Sequence, residues 1–280
     1  MAEATIRATY FGTTSIYLTD GSNGIFVDAF LSRPSLLRAS LGRVSPNRLL
    51  IAKTLEEGNV QALDAVFTAH SHYDHALDSA DVVQVRGGDL YGSESTLNIG
   101  RGAGLSESRL HRIADGDEHS FGDFTVRVFE GLHSPGNRCP GNIDKPLRTP
   151  ARVSAFKDGG SFSYLITHPS GTTFVHASAN YVPDKFEGVN ADVLYLGVGA
   201  LGAQDKQFQD AYWHHVVEAI RPKVIIPVHW DNFGRPLTRG LHRLPRFMDD
   251  FSATQKLLAE KTAGGAVEIR WQDAMETITI

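Results

Sequence analysis

Residues 65–75 read AVFTAHSHYDH, an apolar segment followed by four potential metal ligands within six residues. Val66 and Phe67 predict the end of a buried strand. The ligands would then emerge at a strand tip, where α/β sheets tend to carry their binding sites. A solvated loop that is rich in histidine by chance is the alternative, and the density of ligands makes it improbable.

The spacing within this run predicts two ligand sets. One residue separates His70 from His72, so both side chains project to the same side of an extended segment. Asp74 and His75 follow a turn, and His75 can face a different point from the first pair. Imidazole suits zinc and other borderline metals, and a carboxylate beside it can bind a second ion or handle protons.

Composition is that of an ordinary globular protein, with 280 residues, 41% hydrophobic and 21% charged. The length allows one large domain or two medium ones. No stretch approaches the roughly 18 apolar residues of a membrane helix. Residues 1–4 lack the basic region of a secretory signal. A single cysteine, Cys139, excludes an internal disulfide and fits the cytoplasm. A net charge of -5 argues against nucleic acid as a partner.

Strand tips elsewhere in the chain carry further candidate ligands. An alternating strand at 124–129 leads to His133, and the apolar run 223–228 leads to His229. The segment from Ala4 to Phe30 predicts two strands around a Gly/Asn turn, the second ending at Asp28. An acid there could accept a hydrogen bond from a ligand histidine or act as a turn residue.

The other elements are predicted from periodicity. Helices are expected at 76–85, 210–220 and 247–261, and further strands at 89–92, 162–167, 172–175, 192–197, 266–269 and 276–280. His214 and His215 on the second helix are interpreted as structural or surface residues. The Gly-rich segment 95–104 is predicted to be a loop, in which Arg101 could meet an anion. Residues 33–57 indicate only mixed helix and loop.

The whole pattern resembles the metallo-β-lactamase-like hydrolase superfamily. Its His-x-His-x-Asp-His signature is matched in full by His70, His72, Asp74 and His75, and the later histidines follow in the expected order. The chain is most similar to the stand-alone branch that includes ascorbate-phosphate lactonases and the phospholipase D that cleaves N-acylphosphatidylethanolamine. The resemblance spans about residues 6–235.

The resemblance implies an α/β (α+β) fold, a four-layer αββα sandwich formed by a single domain over 1–280. It implies that one metal ion is held by His70, His72 and His133, and a second by Asp74, His75 and His229. Zn²⁺ is expected, as one or two ions, with Mn²⁺ or Fe²⁺ as the other options.

One position departs from the family pattern. A bridging aspartate usually follows the strand that here ends at His176, but this chain has Ala179 in its place. Asn180 or water could substitute weakly, or the second site is depleted. Losing an anionic ligand weakens a pair of metals. Asp74 therefore becomes the one carboxylate that the motif predicts at the metals.

The function implied is a metal-dependent hydrolase that uses a metal-bound hydroxide on a small-molecule lactone, ester or phosphodiester. Asp74 is the predicted catalytic residue, which would orient the hydroxide or protonate the leaving group. A di-iron redox protein is one alternative, although His72 argues against it, and a non-enzymatic metal-binding or regulatory module is another. A weaker expectation concerns the pocket, which is predicted to be lined by Arg101, Trp230, Asn232, Phe233 and Arg235. The oligomeric state is not indicated.

Overall fold

The structure is a computed structural model that describes residues 5–280, so Met1–Ala4, on which the absence of a secretory signal was judged, lie outside the described residues. The described strands form two sheets of seven. The first sheet has the order β14-β1-β2-β3-β4-β5-β6. Its strands are β1 (Arg7–Tyr10), β2 (Ile16–Thr19), β3 (Gly24–Val27), β4 (Ala65–Phe67), β5 (Asp89–Gly92), β6 (Leu110–Arg112) and β14 (Thr277–Thr279).

The second sheet has the order β13-β12-β11-β10-β9-β8-β7. Its strands are β7 (Glu118–Phe121), β8 (Phe124–Gly131), β9 (Ser161–His168), β10 (Gly171–His176), β11 (Val193–Gly197), β12 (Val224–Val228) and β13 (Glu268–Ile269). Each sheet is mixed. Strands β3 to β6 are parallel in the first sheet, and β10 to β13 are parallel in the second.

The described helices are α1 (Leu36–Leu41), α2 (Arg48–Glu57), α3 (Tyr73–Ala76), α4 (Ser79–Arg86), α5 (Glu94–Gly102), α6 (Lys206–Tyr212) and α7 (Phe251–Thr262), and α6 continues as a π-helix over Trp213–Glu218. The helices expected near 76–85, 210–220 and 247–261 are confirmed, with shifted boundaries. Within residues 5–280, no helix combines the length and apolarity needed to cross a membrane.

Three apolar layers hold these elements together. The layer between the two sheets includes Tyr10, Ile16, Leu18, Val27, Phe67, Val126, Tyr164, Val175 and Ile226. A second layer packs α2, α4 and α5 on the first sheet through Ile51, Leu55, Val82, Val83, Leu90 and Leu97. A third packs the α6 segment and α7 on the second sheet through Phe174, Leu194, Val216, Val217, Leu257 and Leu258. These layers make the fold the expected αββα sandwich.

Alternation along β2 shows why the first sheet has two apolar faces. Ile16 and Leu18 point between the sheets, whereas Tyr17 points toward the helices. Successive side chains of a strand face opposite sides, so a strand that is covered on both faces needs apolar residues at every position. All four residues of β2 are accordingly buried.

Two sequence expectations for local structure were wrong. The segment from Ala4 to Phe30 contains three described strands rather than two, because the chain turns at Gly12 (φ 80°) as well as at the predicted turn. The Gly-rich segment is the helix α5 rather than a loop. The two glycines within α5, Gly100 and Gly102, have close neighbours: a Cβ on Gly102 would lie 1.9 Å from the carbonyl oxygen of Leu147.

A buried ion pair joins loops from the two sheets. The guanidinium of Arg33, after β3, contacts the carboxylate of Asp231, after β12, and the two side chains are 1% and 0% exposed. The backbone N–H of Thr13 also donates to Oδ1 of Asp231 at 2.6 Å. A buried carboxylate needs such partners, because an unpaired charge in the interior is strongly unfavourable.

We expect Arg33→Met to lower the free energy of unfolding by about 3–5 kcal/mol, because it leaves Asp231 buried without its cation. Urea denaturation followed by tryptophan fluorescence measures this loss. Arg270→Met is the matched control, since Arg270 and Glu276 form a partly exposed pair, which contributes less than about 1 kcal/mol. Equal losses in the two variants would contradict this account of the buried pair.

Candidate metal centre

Strand tips deliver the candidate ligands to one edge of the sandwich. His70 lies three residues beyond β4, His133 two residues beyond β8, and His229 directly after β12. His72 immediately precedes α3, and Asp74 and His75 lie within that helix. The short helix turns the chain after His72, which is why the second half of the motif faces a different point from the first.

His70, His72 and His133 form the first triad. Their candidate ligand atoms lie within 4.8 Å of one another. The ring centroid of His70 lies 4.9 Å from that of His72 and 4.7 Å from that of His133. His70 is 2% exposed, and neither ring nitrogen has a hydrogen-bond partner among the described residues. A buried imidazole without a partner is costly unless a ligand completes it, so these residues fit a bound metal ion.

Asp74, His75 and His229 form the second triad, again with ligand atoms within 4.8 Å. Oδ2 of Asp74 lies 3.4 Å from Nε2 of His229 and 3.8 Å from Nε2 of His75. The two Nε2 atoms are 3.2 Å apart. The ring centroids of His70 and His75 are separated by 3.7 Å, so the two triads are adjacent.

Carbonyl groups orient two histidines of the first triad. Nδ1 of His133 donates to the carbonyl of Ser134 at 2.8 Å, and Nε2 of His72 donates to that of Cys139 at 3.3 Å. Since a carbonyl only accepts, each of these nitrogens carries the proton, and the other ring nitrogen is left with a free lone pair. Cys139 therefore contacts His72 through its backbone carbonyl.

Asp28 orients the second triad. Its Oδ2 accepts from Nδ1 of His75 at 2.7 Å, and its Oδ1 accepts from the backbone N–H of Ala69 at 2.7 Å. The residue is fully buried and has a positive φ of 51°. The hydroxyl of Thr14 contacts both Asp28 and Nδ1 of His75, and the sequence offered no signal for it. Because Nδ1 of His75 donates to Asp28, Nε2 of His75 has a lone pair that could bind a metal.

Burial sets the charge state of the first triad. It lowers the pKa of His70 well below the ordinary value, and that of His133 to about 4, with neighbouring imidazoles adding to both effects. These rings are therefore neutral near pH 7, the state that binds metals. Burial also acts to raise the pKa of Asp74, but His75 and His229 outweigh it and bring that pKa well below its usual range. Asp74 is a carboxylate.

The segment that departs from the family pattern packs beside His133. The backbone N–H of Ala179 donates to Oγ of Ser134 at 2.8 Å. Nδ2 of Asn180 donates to the carbonyl of His133 at 2.7 Å, and its Oδ1 accepts from the N–H of Tyr181. Both ends of the Asn180 amide are thus engaged, and its contact with His133 is through the backbone. Ala179 is 1% exposed.

The residues expected to line the pocket fall in different places. Arg101 lies on α5, where its guanidinium pairs with Glu94 and Glu107. Trp230 stacks on Phe251 with ring centroids 5.2 Å apart.

The remaining three lie in the loop after His229. The ring of Phe233 lies 5.9 Å from that of His229. Asn232 accepts from Gly234 N–H through Oδ1, and Arg235 is half-buried beside it. Phe233 is therefore the member of the expected set whose contact with a candidate ligand is direct.

A cavity of about 440 Å³ lies beside α5 and is lined by Ser93, Ser95, Asn98, Arg112, Glu130 and Phe162 among others. None of the six candidate ligands lines it.

Sequence reasoning also missed Arg33, which fixes the loop after His229 through Asp231. No local pattern marks an arginine whose partner lies 198 residues away.

The model of the beta-lactamase superfamily domain matches residues 23–230, which is more than half of the chain. This chain belongs to the beta-lactamase superfamily. The resemblance inferred from the His-x-His-x-Asp-His run is thereby confirmed. A relative, the UPF0173 metal-dependent hydrolase of Myxococcus xanthus, is 24% identical over 245 residues, which cover 84% of this chain and 73% of the relative.

Solved structures agree with the superfamily fold. Igni18, a metallo hydrolase from Ignicoccus hospitalis, aligns with a TM-score of 0.59 at 15% identity. The alignment covers 99% of this chain and 98% of the Igni18 chain. CmlA, a diiron beta-hydroxylase from Streptomyces venezuelae, gives a TM-score of 0.62 at 16% identity. The alignment covers 100% of this chain but 55% of the CmlA chain. At these identities the likeness concerns the fold alone.

We expect Asp28→Asn to weaken zinc binding at the second triad by about 10–100-fold, because a neutral amide accepts the hydrogen bond from Nδ1 of His75 more weakly than a carboxylate does. Asparagine tolerates the positive φ, so the fold should persist. Competition with a zinc-binding dye measures the affinity. Asp64→Asn is the control, since Asp64 accepts from Gly24 N–H away from the metal centre. Unchanged zinc affinity in Asp28→Asn would contradict this role.

Proposed function

We propose that this protein is a metal-dependent hydrolase whose metal centre is formed by the two adjacent triads. The observation that carries the proposal concerns His70, which is 2% exposed and lies between two groups of candidate ligands. Neither of its ring nitrogens has a hydrogen-bond partner among residues 5–280. Structural histidines in a protein interior are normally hydrogen-bonded. The name of the relative as a metal-dependent hydrolase supports the same assignment.

In this proposal His70, His72 and His133 hold one ion, and Asp74, His75 and His229 hold the other. Three imidazoles are a typical set for catalytic zinc, which keeps a further coordination position open. When bound, such an ion lowers the pKa of water toward neutral and polarises the bond to be cleaved. Zinc is the expected metal, and Mn²⁺ or Fe²⁺ would also accept this mixture of nitrogen and oxygen ligands.

The ion at the second triad is proposed to bind more weakly than the ion at the first triad. The first triad is neutral and consists of three imidazoles, whereas the second includes the one carboxylate among the six candidates. Ala179 supplies no side-chain ligand that could join the two subsites, and the amide of Asn180 is engaged by His133 and Tyr181. Without a bridging anion, two cations at adjacent subsites repel each other with less compensation.

Asp74 is the proposed catalytic carboxylate. Its Oδ2 lies near His75 and His229 and would orient a water that is placed between the triads by accepting a hydrogen bond from it. His75 is fixed by Asp28, and His229 is fixed through its backbone N–H, which donates to the carbonyl of Thr13 at 2.6 Å. The neighbours of Asp74 are thus held in fixed positions, as the orientation of a nucleophile requires.

The proposed substrate is a small molecule with a lactone, ester or phosphodiester bond. Phe233 provides an apolar surface beside His229, and Asn232 and Arg235 follow it in the same loop. These three residues are the proposed pocket wall. Arg101 is less suited, because Glu94 and Glu107 already neutralise it.

The proposal is tested with the zinc-loaded protein and a panel of a p-nitrophenyl ester, a γ-lactone and bis(p-nitrophenyl) phosphate. We expect turnover of at least one member, and we expect His70→Ala to lower kcat/KM by more than about 100-fold, since even loss of an outer hydrogen bond to a ligand costs 10–100-fold. Elemental analysis should show less zinc per chain.

His214→Ala is the matched control, because His214 is a surface histidine with a 66% exposed side chain. Its activity and zinc content should equal those of the unaltered protein. Full activity in His70→Ala would contradict the proposal. So would a protein that retains iron and consumes oxygen without hydrolysing any of the three compounds.

A further inference from the structure

We propose that the helix α1 and the neighbouring loop 145–157 form a docking surface for a membrane that contains anionic lipids. No residue of α1 is buried. Leu37 and Leu41 are 70% and 82% exposed, and their spacing places them on one face of the helix. Leu49, in the first turn of α2, is exposed as well. Single exposed leucines are common on protein surfaces, but a largely uncovered apolar helix face indicates a binding surface.

The segment around α1 is basic, although the whole chain carries a net charge of -5. Residues 29–55 contain four arginines and one lysine but no aspartate or glutamate. Three of these five cations are paired with acids from other segments. Arg38 and Arg43 are exposed, and neither forms an ion pair with a residue in the described part of the chain. Their positive charge is therefore available to an anionic partner.

The loop 145–157 adds two more unpaired arginines beside this segment. The backbones of Val44 and Ala151 are hydrogen-bonded in both directions, at 2.8 and 3.0 Å, which joins the loop to the chain after α1. Arg148 and Arg152 are exposed, and within residues 5–280 neither has an acidic partner. Arginines without acidic partners are thus gathered in two segments that contact each other.

An anionic lipid surface matches both properties of this face. Arginine side chains are attracted to the headgroups of anionic lipids, and protruding leucine side chains enter the boundary between headgroups and acyl chains. A second copy of the chain fits less well, because a symmetric dimer would bring these arginines against the same arginines. The net negative charge of the chain opposes docking only weakly, because charges more than about 8–10 Å from the membrane are screened at physiological salt.

The docking surface borders the loop that follows His229. Ala39 of α1 and Phe233 pack against the same apolar cluster. A Cβ on Gly234 would lie 2.5 Å from Cγ of Leu36, so the first residue of α1 lies against this loop. Docking through α1 would therefore bring the candidate metal centre close to the lipid surface. Membrane docking is independent of the proposed hydrolase activity.

The test measures co-sedimentation of the full chain with vesicles of phosphatidylcholine alone, or of phosphatidylcholine and phosphatidylglycerol in equal parts. We expect binding to the anionic vesicles only, and we expect high salt to weaken it, because salt screens the attraction between arginines and headgroups. Arg38→Gln/Arg43→Gln should lower the partition coefficient by about 10–30-fold, the effect of removing two basic residues at an anionic surface.

A second variant, Leu37→Ser/Leu41→Ser, removes the apolar face and keeps the charge. It should bind anionic vesicles at least about 10-fold more weakly, because it loses the apolar area that enters the lipid boundary. Arg38→Lys/Arg43→Lys and Leu37→Met/Leu41→Met are the conservative variants, and both should bind like the unaltered protein. All four side chains are exposed, so the circular dichroism spectrum and the zinc content should not change in any variant.

Lys206→Gln/Lys256→Gln is the matched control for the loss of charge. It also removes two cations, but these lie on α6 and α7, in the helix layer on the second sheet, with side chains that are 77% and 78% exposed. Its binding to anionic vesicles should equal that of the unaltered protein.

Absence of binding by the unaltered protein, or equal binding by either the glutamine or the serine variant of α1, would overturn the proposal. Binding to polyglutamate without binding to vesicles would also overturn it, and would assign the surface to an acidic protein partner. Each of these results would leave the hydrolase proposal intact, because the three compounds in that test are soluble and need no membrane.

Discussion

The hydrogen bond between Asp28 and His75 is the interaction on which the proposed metal centre depends most. Asp28 directly follows β3 and accepts hydrogen bonds from His75 and from the backbone N–H of Ala69, next to His70. One buried carboxylate therefore sets the distance between a strand tip that carries the first triad and a helix that carries the second. Its left-handed backbone conformation is a local strain that is retained at a functional position.

The ligands come from both sheets, so the site also depends on how the sheets are joined. His70 and His75 follow the first sheet, and His133 and His229 follow the second. The buried pair of Arg33 and Asp231 links loops of both sheets two residues beyond His229. A buried ion pair adds little net stability compared with an apolar pair, but breaking it is costly, which fixes the relative position of the loops.

The sequence predicted those features that depend on residues close together in the chain. The run at 65–75 indicated four candidate ligands because they lie within six residues, and His133 and His229 were candidates because each follows an apolar strand. Interactions between distant residues were not predictable. Nothing near Arg33 indicates a partner 198 residues away, and Gly102 looked like part of a loop because its contact with Leu147 exists only after folding.

The most direct test of the two-triad account is anomalous diffraction at the zinc absorption edge from crystals of the zinc-loaded protein. The account predicts one strong peak within about 2.3 Å of ring nitrogens of His70, His72 and His133. It also predicts a weaker, adjacent peak bound by Asp74, His75 and His229, because no carboxylate bridges the two subsites. No peak at the first triad, or two equally occupied ions bridged by a protein carboxylate, would contradict it.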